Sequence, residues 1–177
     1  IMSVKNNYFW TEKAALSDFI ANGDMLEITR IFSYEEAFGL RFADIAVRFA
    51  DRTEATEIEL TVILDTLLDD RASLDEERQN RLYEELYAFY SQDCSNKAII
   101  KQAIKQDKHY NALQIKFANA LTCHKAQGGD WQTVFIQQGF FSDDMLDTEY
   151  FRWLYTTVTR AKEKLYLVNF TEDFFAD

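Results

Sequence analysis

The sequence predicts a mixed α/β protein in which a small β-rich and helical insertion interrupts a domain with a parallel sheet. Residues 43–49 and 57–64 alternate apolar and polar side chains with a period of two, which is typical of antiparallel strands that have one face in water. In the last third of the chain, strand-like and helix-like segments alternate, which favours a parallel sheet.

The first part of the chain contains strand and turn signals. The segment IMSVKNNY has a strand-like start and ends in a polar turn at Asn6 and Asn7. Asn22-Gly23-Asp24 is a strong turn signal, because glycine and asparagine tolerate a positive φ. The two alternating segments follow, and we interpret them as strands of a small antiparallel barrel.

Helical patterning begins after the second alternating segment. Ser73 and Glu76 have the spacing of a capping box, and Leu82, Leu86 and Phe89 fall on one face of the predicted helix. A second, shorter helix is predicted to carry a row of lysines four residues apart, which we interpret as a solvated face. The row consists of Lys97, Lys101 and Lys105.

The remaining elements define the predicted domains. We expect strands near Ala112–Cys123, Thr133–Gln137 and Lys164–Asn169, and a helix through Phe151–Ala161. Pattern alone assigns residues 1–17 and 108–177 to the split α/β domain, and residues 18–107 to the inserted β domain with its helices.

The charge of the chain is acidic but uneven. The 177 residues carry a net charge of −11, which argues against nonspecific nucleic-acid binding on average. From Lys97 to Lys125, however, six lysines face a single acid, Asp107, and such local charge can serve a groove for a polyanion. An acidic cluster also suggests a metal-dependent nuclease, but its place at a predicted helix start favours solvated charge, and we predict no metal site. The cluster comprises Asp69, Asp70, Asp75, Glu76 and Glu77.

Cysteine content and hydropathy indicate the compartment. Cys94 and Cys123 are the only cysteines, and we expect both to be reduced thiols in a cytoplasmic protein. No apolar run approaches the roughly 18 residues that span a membrane, and no secretory signal is visible. The chain begins at Ile1 inside a strand-like segment, so we expect it to be a piece of a longer protein.

Two segments carry a family resemblance. ALTCHKAQGGDW, residues 120–131, resembles motif V of superfamily 1 DNA helicases with RecD-like or UvrD-like C-terminal domains, and WLYTTVTRAKEKLYLV, residues 153–168, resembles motif VI. VKNNY and IANGD near the start are similar to segments that lead from the second RecA-like domain of such helicases into an inserted SH3-like domain. The resemblance therefore implies a split RecA-like domain with an SH3-like insertion.

Motif VI implies a catalytic role for one arginine. During phosphoryl transfer negative charge spreads over the oxygens of the γ-phosphate. A guanidinium group can stabilise this charge, because it is always positively charged and can donate two parallel hydrogen bonds to phosphate. The resemblance identifies Arg160 as the arginine finger and Thr159 as a neighbour that shapes the site. Taken alone, an arginine at a helix end is commonly a surface residue.

Motif V implies contacts with both DNA and nucleotide. By resemblance Thr122, His124 and Lys125 bind the backbone of single-stranded DNA. Contacts to phosphates position the protein on the strand but do not recognise the base sequence. The resemblance assigns nucleotide binding and coupling to Gln127, Gly128 and Asp130. The chain departs from the family at Gly129-Asp130, where serine–glutamate is frequent. A thiol-nucleophile interpretation of Cys123 beside His124 is weak, because adjacent strand residues point to opposite faces.

Half of an ATPase site is missing from the sequence. There is no G-x-x-x-x-G-K-[ST] loop to hold phosphates and no matching acidic motif for magnesium. The resemblance places both in an N-terminal RecA-like domain before Ile1, which would bind most of the ATP and Mg²⁺. We therefore expect the fragment alone to be inactive in ATP hydrolysis and unwinding.

These observations predict the C-terminal part of an ATP-dependent DNA helicase, similar to the alpha subunit of exonuclease V. The implied partners are single-stranded DNA, the N-terminal RecA-like domain and subunits of a repair complex, with no membrane. One alternative is a protein-interaction module on a degenerate helicase scaffold, and another is a stand-alone nucleotide-binding regulator. Neither alternative explains why two helicase motifs occur in the right order.

Overall fold

The computed structural model describes residues 1–14, 19–50, 56–140, 142 and 145–175. The chain divides into two compact units, Ile1–Asn119 and Ala120–Asp177. The predicted domain boundary at residues 17 and 18 falls outside the described residues. Compact units do not identify family domains, so the split at residues 17 and 107 stays a prediction.

A five-stranded mixed sheet forms the centre of the first unit. Its strands are β1 (Met2–Ser3), β2 (Leu26–Ala37), β3 (Leu40–Phe49), β4 (Ile58–Ile63) and β5 (Leu113–Lys116), arranged in the order β1-β5-β4-β3-β2. β3 pairs antiparallel with β2 and β4, whereas β4 and β5 run parallel. The two alternating segments are thus β3 and β4, and their prediction as antiparallel strands is confirmed.

The sheet stays open in the described part of the chain. The predicted turn is present, with Gly23 at φ 102°, and it returns the chain toward β1. Ser3 N donates to the carbonyl of Asp24 at 3.0 Å, and Leu26 N donates to the carbonyl of Ile1 at 2.8 Å. These bonds join the edges of the sheet only near the start of β2, so the predicted barrel is not seen among the described residues.

Both faces of the sheet are covered along part of their area, so the prediction of one wet face is wrong in part. On one face, Ile45 and Leu60 are buried with Trp10 of helix α1 (Phe9–Lys13). On the other face, Phe42 and Ile63 are buried beneath two helices. Alternation could not reveal this cover, because the residues that supply it lie in other segments of the chain.

The covering helices are α3 (Glu76–Ser91) and α4 (Lys97–Gln106), which follow the short helix α2 (Asp65–Leu68). Both long helices were predicted, and the lysine row of α4 is exposed as expected. Their buried residues join Phe42 and Ile63 in one apolar cluster. They are Leu82, Leu86, Ile100 and Ile104.

Two details of α3 correct the sequence prediction. Its N-cap is Asp75 rather than Ser73, because the Asp75 side chain accepts a hydrogen bond from Arg78 N at 2.7 Å. Phe89 is 51% exposed, whereas Leu86 is fully buried. Phe89 lies at the edge of the helix face, where its ring meets the ring of Phe38 edge-on at 5.9 Å.

The second unit contains a strand–helix–strand element. β6 (Trp131–Gln137) and β7 (Ala161–Val168) pair in parallel, α5 (Thr148–Val158) lies between them in sequence, and a 3-10 helix (Glu172–Phe175) follows. The predicted order and parallel pairing are confirmed. Each element begins two or three residues earlier than predicted.

One predicted strand is shorter than expected. The segment near Ala112–Cys123 contains only β5, which ends at Lys116, because residues 122–129 make local turn bonds instead of strand pairs. The α/β class is nevertheless confirmed. Cys94 and Cys123 are free thiols in the structure, and their redox state in the cell stays a prediction. Within the described ranges, no helix combines the length and apolar character needed to cross a membrane.

Candidate functional site

Motifs V and VI meet at one edge of the β6–β7 pair. Motif V ends where β6 begins, and Arg160 of motif VI directly precedes β7. Because the strands are parallel and Trp131 pairs with Ala161, both motifs lie at the amino ends of the strands. The backbone N–H of Trp131 donates to the carbonyl of Arg160 at 2.9 Å, which fastens the two motifs together.

Residues 122–129, here called the motif V turn, form a compact hydrogen-bonded loop. Lys125 N donates to the carbonyl of Thr122 at 3.0 Å, and Gly129 N donates to the carbonyl of Ala126 at 3.2 Å. Gly128 adopts φ 84°, a left-handed conformation that glycine enters without steric cost. The turn therefore closes on itself without help from a neighbouring strand.

Four polar side chains project from the motif V turn into solvent. They are Thr122, His124, Lys125 and Gln127. Within the described part of the chain, none of these side chains makes a hydrogen bond or ion pair. They are free to meet a ligand, so their predicted DNA and nucleotide roles are sterically open, and those roles stay predictions.

Arg160 is braced by protein acceptors on three sides. Its Nε donates to the carbonyl of Thr156 at 3.0 Å, and its Nη1 donates to the carbonyl of Gly129 at 3.0 Å. Its Nη2 donates to Thr159 Oγ1 at 3.1 Å. The Thr159 hydroxyl in turn donates to the carbonyl of Tyr155 at 2.8 Å. The predicted pair Arg160 and Thr159 is thus in direct contact.

Gly129 lies against the ring of Trp131. A Cβ at this position would stand 2.5 Å from Trp131 Cη2, closer than real Cβ atoms approach other heavy atoms. The glycine at residue 129 therefore has a local physical reason in this chain. With Trp131 in this place, only glycine fits at residue 129 without a shift of the ring.

Asp130 forms an ion pair that the sequence did not reveal. Its Oδ1 lies 2.6 Å from Lys162 Nζ on β7, and the two side chains are 57% and 53% exposed. The pair bridges the starts of β6 and β7. A nucleotide contact by Asp130 would have to compete with Lys162 for the carboxylate.

Cys123 is poorly suited to act as a nucleophile. Its Sγ donates to the carbonyl of Trp153 at 3.7 Å. Burial raises the pKa of the thiol, and the nearby charge of Arg160 opposes that rise only in part. The thiolate is the reactive form, so a raised pKa disfavours the thiol-nucleophile interpretation.

Three residues of the site were missed by sequence reasoning: Thr156, Trp131 and Lys162. Thr156 contributes only a backbone carbonyl, for which no side-chain signal exists. Lys162 becomes a neighbour of Asp130 through the parallel pairing, whereas Trp131 lies only two residues from Gly129 in the chain. Writing the two strands side by side in register, each extended toward its amino end, could have found Lys162.

Two members of the acidic cluster near α3, Asp69 and Asp75, make ion pairs with arginines. Asp69 is held by Arg78, and Arg78 Nε lies 3.1 Å from Asp75 Oδ2. In the described ranges, no group of three or more His, Cys, Asp or Glu side chains could hold a metal ion. The structure thus accounts for Asp69 and Asp75 as partners of arginine.

Comparison with protein families adds an independent observation on the region of motifs V and VI. No curated protein matches the chain. Residues 117–168 match the family model described as the UvrD-like helicase C-terminal domain, and this range contains β6, α5, β7 and both motifs. The match agrees with the resemblance to UvrD-like helicases that the two motifs indicated for this region.

Proposed function

We propose that the chain is the C-terminal part of an ATP-dependent DNA helicase or translocase, similar to the alpha subunit of exonuclease V, and that Arg160 is its arginine finger. The observation that carries the proposal is the braced guanidinium beside the motif V turn. Three of the five N–H donors of Arg160 are used by Thr156, Gly129 and Thr159. Two donors remain, which is the number that a bidentate contact with phosphate requires.

The free side chains of the motif V turn support the DNA-binding part of the proposal. Thr122, His124 and Lys125 are exposed next to a braced arginine and can donate to phosphates of a single strand. Gln127, Gly128 and Asp130 lie between these residues and Arg160 in the chain, and we assign them to the nucleotide side. One compact turn would then serve both ligands.

The exposed face of the β6–β7 pair supports a larger protein. Phe135 and Tyr166 stack with ring centroids 4.7 Å apart and remain 68% and 47% exposed. Parallel sheets are normally covered on both faces, so this face calls for further structure. We propose that residues 1–17 and 108–177 form a split RecA-like domain and that residues 18–107 are an SH3-like insertion with helices.

The remaining half of the ATPase site belongs, in this proposal, to an N-terminal RecA-like domain. That domain would bind ATP with Mg²⁺, and closure of the cleft would bring the γ-phosphate to Arg160. The protein would work in the cytoplasm in DNA repair and recombination, with movement from 5′ to 3′ and with partner subunits in a repair complex. The 177-residue chain alone would neither hydrolyse ATP nor unwind DNA.

The test is single-strand-stimulated ATPase of the longer natural protein with Arg160→Ala. Loss of an arginine finger slows turnover by roughly a thousandfold or more, while DNA binding is retained. Arg152→Ala is the matched control, because Arg152 lies on the exposed side of α5 and pairs only with Glu149 in the described part of the chain. Unchanged turnover in Arg160→Ala would favour the protein-interaction module instead.

A further inference from the structure

The amino ends of β6 and β7 are tied together at three points, and we call this set of contacts the clamp. The clamp joins residues 129–131 to residues 160–162. Gly129 accepts from Arg160 Nη1 at 3.0 Å, and Trp131 N donates to the carbonyl of Arg160 at 2.9 Å. The third tie is the ion pair of Asp130 and Lys162 at 2.6 Å.

The three ties differ in strength. Both side chains of the ion pair are more than half exposed, so solvent screens their attraction. The backbone bond of Trp131 fixes the start of the strands but does not touch the guanidinium. Of the three ties, only the Gly129 carbonyl bonds the guanidinium itself. It orients that group together with the Thr156 carbonyl and the Thr159 hydroxyl, which belong to the same segment of the chain as Arg160.

The ring of Trp131 confines Gly129. A Cβ at residue 129 would lie 2.5 Å from Cη2, 3.1 Å from Cζ2 and 3.2 Å from Cζ3 of that ring, so the ring lies directly against the backbone. A Cβ at Gly128 or Gly139 would meet nothing within 4 Å. The crowding is thus specific to the residue whose carbonyl braces Arg160.

We propose that Trp131 is a positioning residue for Arg160: its ring holds the Gly129 backbone where the carbonyl accepts from Nη1, and this fixes the plane of the guanidinium. The inference rests on the proposed function, in which the two unused donors of Arg160 meet a phosphate. A planar group held in advance loses less freedom when it binds than one that must first be ordered. Trp131 itself touches neither ligand.

The experiment follows the Arg160 Nη1–H signal by nitrogen-15 NMR at low temperature in the complete 177-residue chain, assigned with Arg160→Lys. Nη1 is the group that donates to the Gly129 carbonyl. Gly129→Ser and Trp131→Val are made singly and together. Gly139→Ser is the matched control, because it is the same substitution at an open glycine of the same unit. The measured quantity is the rate at which the Nη1–H proton exchanges with water.

We expect Gly129→Ser and Trp131→Val each to speed exchange by about tenfold, the loss of roughly one net hydrogen bond. Gly139→Ser should leave the rate within about twofold of wild type. In the Trp131→Val background, Gly129→Ser should add no further increase, because the ring that opposes the serine is gone. Equal effects of Gly129→Ser in both backgrounds would refute the proposal.

Folding of each variant is checked by its backbone amide spectrum. Should Gly129→Ser fail to fold, Trp131→Val alone decides, and an unchanged exchange rate there overturns the positioning role. The NMR measurement needs neither nucleotide nor DNA. Unchanged ATPase activity in Arg160→Ala would thus contradict the proposed function without affecting the NMR result on the clamp. The failure of the proposed function and the failure of the positioning role can therefore be distinguished.

Discussion

Arg160 Nη1 donates to the carbonyl of Gly129 at 3.0 Å, although the two residues are 31 positions apart in the chain. The contact arises because β6 and β7 are parallel and begin side by side at Trp131 and Ala161. A helix returns the chain from the end of one strand to the start of the other. Residues of two separate motifs consequently form one hydrogen-bonded group.

Replacing Arg160 by lysine should be almost as harmful as removing the side chain. An ammonium group is a point donor and cannot bond the carbonyls of Thr156 and Gly129 while it presents two parallel N–H groups to a phosphate. We expect Arg160→Lys to lower the DNA-stimulated ATPase rate of the longer protein to within about tenfold of Arg160→Ala.

Arg152→Lys is the control for that prediction, since it makes the same change at an exposed arginine of α5. Its turnover should match the wild type. If Arg160→Lys keeps most of the activity, positive charge alone is sufficient and the bidentate contact is unnecessary.

Lys125→Ala should weaken single-strand binding through charge alone. Lys125 is exposed in the motif V turn and has no ion-pair partner within the described ranges. Removing one phosphate contact should reduce the slope of log K against log salt by about 0.7, the value per contact for single strands. Fluorescence anisotropy with oligo(dT) at several salt concentrations measures this slope in the longer protein.

Lys97→Ala tests whether the effect belongs to the site. Lys97 is an equally exposed lysine, at the start of α4 in the first unit. The substitution Lys97→Ala removes the same charge from the protein and should leave the slope of log K against log salt unchanged. Equal slopes for Lys125→Ala and Lys97→Ala would mean that the motif V turn does not contact the DNA strand.

The sequence predicted those parts of the molecule in which local pattern decides the structure. Period-two alternation found β3 and β4, and strand–helix–strand order found the parallel pair of β6 and β7. Arg160 was placed correctly at the end of a helix, because α5 ends at Val158 and Thr159 is its cap. Each of these depends on residues close together in the chain.

What the sequence could not predict depends on contacts between distant segments. The cover of Phe42 and Ile63 comes from Leu86 and Ile104, which lie on later helices. The ring of Trp131 explains the glycine at residue 129 only once the backbone of the turn is known. Patterns state which face of an element is apolar, and they do not state which other element covers it.

Leu86→Ala should destabilise the first unit far more than Phe89→Ala. Leu86 is fully buried between α3 and the sheet, so its truncation leaves a cavity and should cost about 2–5 kcal/mol in the free energy of unfolding. Phe89 is mostly exposed and loses only edge contacts, with an expected cost below about 1.5 kcal/mol. Urea denaturation measures both. Equal costs would mean that Phe89 faces the core after all.

His109 lies between two carboxylates in the first unit. Its Nδ1 is 3.2 Å from Asp107 Oδ1, its Nε2 is 3.1 Å from Glu35 Oε2, and the side chain is buried. Burial alone would lower the pKa of His109, but the hydrogen bonds with Asp107 and Glu35 outweigh it and raise that pKa. Burial would likewise raise the pKa of Asp107, yet its hydrogen bonds to His109 and Tyr90 lower it to about 2.

This arrangement predicts a loss of stability as the pH rises above the unfolded pKa of histidine. A group whose pKa is raised by folding contributes its full stabilisation below its unfolded pKa, about 6.5 for histidine, and loses it as the pH rises through the folded value. The free energy of unfolding should therefore decline as the pH rises from about 6 through the raised pKa of His109. Asp107, with its lowered pKa, should remain ionised throughout this range.

The decline should vanish in His109→Gln, measured by urea denaturation between pH 6 and pH 9. The chain has two histidines, and His124 is exposed in the motif V turn, so His124→Gln is the matched control. It should keep the wild-type decline, because its imidazole makes no bond within the described ranges. Other groups titrate equally in both variants, and the difference between the two curves isolates His109. Parallel curves would show that the carboxylates do not stabilise its charged form.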